Sequence, residues 1–259
     1  MKLAIAGKGG VGKTTLASLL AESYASEGTP VIAVDADPDA NFAGALGIPA
    51  EVASQITPVA ELKDLIEERT GAKPGGATTF FKLNPMVDDI PDGFSFSKGN
   101  IKLLVMGKVR RGGGGCMCPE STLVRALLSH LVLARSEVII VDMEAGLEHL
   151  GRGTAQSVDA FIIVAEPGQR SIDTARAIER LAKDIGVRNC FVVGSKTRNE
   201  SDHRFIHDSL RGLEVLGFID YDHQILGADR QGLGVFDAAP KAAQQVREIK
   251  HKLDQVYQG

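Results

Sequence analysis

The chain has 259 residues, of which 44% are hydrophobic and 24% charged, with a formal net charge of −4 and a pI near 5.9. This composition fits one large globular α/β domain over residues 1–259 and argues against a general nucleic-acid binder. No apolar run approaches the ~20 residues of a membrane span, and no signal-peptide pattern precedes the first apolar run, so a cytoplasmic protein without a membrane anchor is expected.

Lys2 to Ala6 reads as a buried strand, and Leu16 to Glu27 as a helix. Between them lies Gly7-Lys8-Gly9-Gly10-Val11-Gly12-Lys13-Thr14-Thr15. The glycines let the backbone turn its N–H groups toward a bound anion, and the helix that follows presents its positive end to the same place. The spacing is that of a phosphate-binding loop: Lys13 is expected to reach the β and γ oxygens of ATP, and Thr14 to hold Mg2+. Lys8 is an additional lysine that such a loop does not require, and one that could serve a nucleotide held by a facing subunit.

Gly28-Thr29-Pro30 then breaks the helix, and Val31 to Asp35 reads as a buried parallel strand with an acid at its carboxyl end. Ligands gather at that end of an open α/β sheet, so the segment Asp35 to Asn41 is where a base or metal ligand is expected. Pro58 to Arg69 has helical spacing of Val59, Leu62, Leu65 and Ile66, whereas Gly71 to Lys98 is broken by Pro and Gly into loop. A strand is expected from Asn100 to Gly107.

The second informative stretch is Gly112-Gly-Gly-Gly-Cys116-Met-Cys118-Pro119-Glu120. Pro119 suits the first turn of a helix, Glu120 suits its dipole, and Leu123, Leu127 and Leu131 continue it, which places Cys118 at the N-cap. The helix dipole together with Arg110 and Arg111 would favour the thiolate. Two thiolates half-fill a tetrahedral site of the kind that Zn2+ prefers, so a twofold dimer in which Cys116 and Cys118 of both chains meet would complete it. The third cysteine, Cys190, falls in an apolar strand and reads as core.

Val138 to Asp142 is a buried strand ending in the acid expected to orient Mg2+. Glu144, Glu148 and His149 beyond it read as exposed residues of a switch segment rather than a metal cluster. Further α/β units follow: strand 160–165, helix 171–185, strand 190–194, helix 200–210, strand 215–219 and a last helix from Lys241. The expected fold is therefore an α/β P-loop NTPase with a mostly parallel sheet and helices on both faces.

The loop with its extra lysine resembles the deviant Walker A loop of the ATPase family that contains MinD, the nitrogenase iron protein and nickel-insertion ATPases. That resemblance implies a homodimer in which Lys8 crosses to the partner's ATP, a catalytic role for Asp37 in positioning the attacking water, and Gly146 as a switch II hinge. The Cys-x-Cys loop and the run from Asp142 to His149 further resemble the CooC branch, implying an ATP-hydrolysing metallochaperone that carries Ni2+ or Zn2+ and supplies nickel to carbon monoxide dehydrogenase or a related nickel enzyme. Two other functions are consistent with the wider family: an iron–sulfur reductase, and a MinD-like positioning ATPase. The balanced charge of the last helix is unlike the basic tail of membrane-targeted relatives. Where related ATPases read adenine with an asparagine, this chain has Gly194-Ser195-Lys196, which leaves adenine recognition unassigned.

Overall fold

The computed structural model describes residues 1–75, 80–108, 118–144 and 152–258. Eight strands form one sheet: β1 Lys2–Gly7, β2 Val31–Asp35, β3 Phe96–Lys98, β4 Ile101–Val105, β5 Val138–Asp142, β6 Ala160–Ala165, β7 Cys190–Thr197 and β8 Glu214–Asp220. Their order is β3-β4-β2-β5-β1-β6-β7-β8, and every neighbouring pair is parallel except β3 with β4.

The helices are α1 Lys13–Ser26, α2 Phe42–Ala45, α3 Ala50–Ala53, α4 Lys63–Thr70, α5 Ile90–Gly93, α6 Pro119–Ala134 and α7 Arg152–Ala155, followed by α8 Gln169–Asp184, α9 Glu200–Ser209, α10 His223–Gln231, α11 Val235–Ala238 and α12 Pro240–Gln258. No helix among the described residues is long and apolar enough to cross a membrane.

Side chains alternate across each strand, so the continuous apolar runs feed two cores, one on each face of the sheet. Leu3 and Ile5 of β1 point to the face covered by α1 and α12, where Leu16, Leu20, Val246, Ile249 and Leu253 are fully buried. Ala4 and Ala6 point to the opposite face, covered by α4, α6 and α8 through Ile66, Leu123, Leu127, Leu131 and Ile178. Helix α1 is enclosed by the sheet and α12, which explains why its apolar residues are not confined to one stripe.

The structure departs from the sequence expectations in several places. Residues 58–69 do not form one helix: a 3-10 turn at Val59–Glu61 is separated from α4 by Leu62, whose ψ of 75° is not helical. The stretch expected as loop up to Lys98 contains α5 and the edge strand β3. Strand β7 continues to Thr197, past the expected end at 194. Helices α10 and α11 occupy a region given no element from sequence, with Asp222 capping α10 through a hydrogen bond from the Gln224 N–H (2.8 Å) and left-handed Gly232 ending it.

Candidate nucleotide site

Parallel register aligns the carboxyl ends of the central strands, and chemistry collects there. Asp35 pairs with Asp142 in the β2–β5 ladder, and Ile5 with Asp142 in the β1–β5 ladder, so both acids lie on the β5 side of the loop that leaves β1. The loop is shaped by its glycines. A Cβ on Gly7 would lie 2.6 Å from the Val164 carbonyl oxygen, and Gly12 has a φ of 100°, a left-handed conformation that disfavours other residues.

Gly12 is the N-cap of α1, so it brings no side-chain cap, and the first turn carries no acid. The first intrahelical bond is Leu16 N–H to the Gly12 carbonyl (3.0 Å). The N–H groups before it have no partner within the helix and point their positive end into the cleft, as anion binding requires.

That cleft measures about 1070 Å³. Gly9, Gly10, Gly12, Lys13, Thr14 and Thr15 line one end together with Asp37 and Glu144, and the apolar Ile48, Ile225, Leu226, Leu233 and Val235 line the other. A polar, cationic end joined to an apolar one matches the two halves of a nucleotide.

Within the polar end, the Thr14 hydroxyl donates to Asp142 Oδ2 at 2.5 Å. Asp142 is wholly buried, and its Oδ1 has no hydrogen-bond partner. Burial pushes this carboxyl up to about 7, aided by the nearby charges of Asp35 and Asp37 and opposed by the Thr14 hydroxyl and Lys13. A buried carboxylate oxygen without a partner beside a threonine hydroxyl is a donor set suited to Mg2+, a hard cation that takes oxygen ligands.

Lys13 is almost fully buried, and its ammonium lies 3.7 Å from Asp37 Oδ2. Acids at strand ends often serve only to cap the next helix, but here that work falls to Asp35, whose Oδ2 accepts from the Phe42 N–H at 2.9 Å. Burial raises the Asp35 carboxyl to about 6 against the pull of the Phe42 and Asp37 N–H groups. Asp37 is thereby left facing Lys13 and the cleft. Lys8 is more exposed, with its ammonium 3.9 Å from Glu166 Oε1. The loop carbonyl of Lys8 accepts from Val11 N–H (3.3 Å), and Thr15 lies on the first turn of α1.

Of the second motif, Cys118 is described, whereas Cys116, Arg110 and Arg111 lie outside the described residues, as do Gly146, Glu148 and His149. Cys118 is the N-cap of α6, its Sγ accepting from the Ser121 N–H at 3.4 Å. Burial nonetheless pushes this thiol above its ordinary value, with Glu120 adding to the rise, so among the described groups burial outweighs the pull of the helix end. Among the described residues no cluster of three or more metal-ligating side chains occurs. Cys190, the first residue of β7, packs against the core, and burial raises its thiol to about 12, which disfavours the thiolate.

Two contributors to the cleft were given no role from the sequence. Lys196, at the end of β7, donates to the Gly10 carbonyl of the phosphate loop. The apolar wall from α10 and α11 is the other, and its Asp222 and Gly232 caps were visible as helix boundaries in the sequence.

Residues 2–235 match the family model of the CobQ/CobB/MinD/ParA nucleotide binding domain. The carbon monoxide dehydrogenase accessory protein CooC of Rhodospirillum rubrum is 48% identical over 240 residues, 93% of this chain and 91% of that protein. An uncharacterized ATP-binding protein of Methanocaldococcus jannaschii is 47% identical over 252 residues, 96% of each chain. Among solved structures, the MinD cell division protein of Aquifex aeolicus superposes with a TM-score of 0.69 at 20% identity, covering 98% of both chains. A ParA family ATPase from Chlorobium tepidum gives a TM-score of 0.68 at 16% identity, covering 95% of both. These two show the shared fold. With its glycine-shaped loop, buried magnesium-type acid and polar-to-apolar cleft, the chain belongs to the CobQ/CobB/MinD/ParA family of P-loop ATPases and is of the CooC type within it.

Proposed function

We propose that this ATPase is a cytoplasmic, ATP-switched homodimer that carries Ni2+, or Zn2+ in its place, on Cys116 and Cys118 of both protomers and delivers nickel to carbon monoxide dehydrogenase or a related nickel enzyme. The observation that carries this reading is the 48% identity to a carbon monoxide dehydrogenase accessory protein across 93% of the chain. The position of Cys118 supports it, because this residue is only half-buried at the N-cap of α6, shortly after the glycine run.

In the proposed cycle, the N–H groups of 9–15 and the Lys13 ammonium bind the β and γ phosphates, and Lys13 leaves Asp37 to do so. Asp37 then orients the attacking water, and phosphoryl transfer proceeds by positioning and charge stabilisation. Thr14 and Asp142 would hold Mg2+, which would supply neutralisation of the phosphate charge. Lys8 sits at the more exposed edge of the loop and is proposed to act on the partner's nucleotide, so that dimer closure requires ATP and hydrolysis releases it.

Closure brings the two Cys-x-Cys pairs together. The raised thiol of Cys118 means that cargo binding must displace a proton, so loading weakens as pH falls. The test is activation of a nickel-free carbon monoxide dehydrogenase by the Ni2+-loaded protein. Activation is expected with Mg·ATP, and not with a non-hydrolysable analogue or with the Asp37→Asn variant. Equal activation by all three contradicts ATP-driven delivery.

A further inference from the structure

The left-handed backbone at Lys196 points to a function. With a φ of 56°, it is the one non-glycine residue among the described residues with positive φ. Such a conformation is disfavoured for a residue with a Cβ and persists where the surroundings enforce it. The cause is visible in the ladder with β8: Ser195 pairs with Ile219 and Thr197 with Asp220, so Lys196 is the extra residue of a bulge. Bulges re-aim side chains beside functional sites, and this one turns the lysine off the sheet toward the phosphate loop.

There the Lys196 ammonium donates to the Gly10 carbonyl and lies 3.9 Å from Glu166 Oε2, while the other oxygen of Glu166 lies 3.9 Å from Lys8. The rim of the loop has little else to hold it. A Cβ placed on Gly9 or Gly10 would meet nothing within 4 Å. The strand order adds a second constraint: the phosphate loop follows β1, α10 follows β8, and β7 lies between them with β6. Lys196 therefore stands on the cleft wall between the cationic end and the apolar end formed by Ile225 and Leu226.

We propose that Lys196 is a nucleotide-positioning residue, whose ammonium fixes the outer rim of the phosphate loop at Gly10 and whose four-carbon stem forms the wall against which the sugar and base of ATP lie. Glu166 is the counter-ion that holds the ammonium in place. The bulge sets the direction of the stem, so this lysine does its work at a position where the chain lacks the asparagine expected to read adenine. The inference rests on reading this cleft as the ATP site.

Two substitutions separate the parts. Lys196→Met keeps the stem and removes the ammonium; Lys196→Gly removes both and relieves the left-handed strain. Titration calorimetry with Mg·ATP, Mg·ADP and Mg·tripolyphosphate is run on both variants, on the wild type and on Lys13→Ala, alongside thermal unfolding.

Lys196→Met is expected to weaken all three ligands by about threefold to tenfold, the range for losing one half-exposed charge-assisted hydrogen bond. Lys196→Gly is expected to weaken ATP and ADP about threefold further but tripolyphosphate no further, with an unfolding midpoint no lower than that of Lys196→Met. Affinities of both variants within about twofold of wild type overturn the proposal, as does an added loss in Lys196→Gly that is equal for tripolyphosphate and ATP. If Lys13→Ala binds tripolyphosphate as the wild type does, the cleft itself is misassigned and the proposal falls with it.

Discussion

Replacing Asp142 by Asn should stabilise the nucleotide-free protein at alkaline pH while removing its Mg2+-dependent nucleotide binding. The carboxyl is wholly buried, and burial raises it from 3.8 to about 7. Above that pH the folded protein must hold a buried charge that the unfolded chain exposes to water. The folded state binds the proton more tightly, so the contribution of this group is fully present below about pH 4 and is lost as pH rises through about 7. At about 1.4 kcal/mol for each tenfold change in proton affinity, the full rise corresponds to an upper bound of about 4 kcal/mol. The charges of Asp35 and Asp37 contribute part of that rise, so the measured difference is expected to fall below this bound.

The assay is urea unfolding in EDTA from pH 5 to pH 8.5. Asp35, raised to about 6, and the lowered N-terminal amine also titrate in this range, so the informative quantity is wild type minus Asp142→Asn. The variant should gain on the wild type as pH rises, and Mg·ATP should restore the wild type while leaving the variant unaffected. A difference that is flat with pH, or that grows toward acid, would refute the buried-charge argument.

Asp37→Asn should bind Mg·ATP with near wild-type affinity yet hydrolyse it at least about a hundredfold more slowly, by single-turnover assay; turnover at the wild-type rate would make Asp37 a loop residue without a catalytic part. Lys8→Ala should bind nucleotide as a monomer but lose ATP-dependent dimerisation in light scattering, and an unchanged dimer fraction would confine Lys8 to its own loop. Cys190→Ala should leave metal content intact, because its thiol is packed against the core and raised to about 12.

The phosphate loop was legible because its chemistry is local: glycine spacing, a following lysine and threonine, and flanking runs of strand and helix period. The same holds for Asp35 and Asp142, whose place at strand ends follows from where two apolar runs stop. Cys118 could be placed at a helix N-cap from Pro119, Glu120 and the leucine spacing that follows. Its raised thiol could not, because desolvation depends on what packs around it.

Strand β3 escaped detection because three residues on an antiparallel edge are too short to show a period of two. Helix α10 carried readable caps, but Ile225 and Leu226 line the cleft and Ala228 is its one buried residue, so its apolar pattern is weak. The role of Lys196 depends on a bulge between β7 and β8, and neither Gly nor Asn marks that left-handed position.

A metal site shared between two protomers is tested most directly by its stoichiometry. Equilibrium dialysis with Zn2+ and Ni2+, combined with sedimentation analysis, is applied to the wild type, Cys116→Ser and Cys118→Ser. Two thiolates per chain and a four-ligand site predict one tightly held metal per dimer, metal-promoted dimerisation, and loss of both in either variant. One metal per monomer, or metal retained by the cysteine variants, would contradict the bridging site and leave an ATPase without metal cargo.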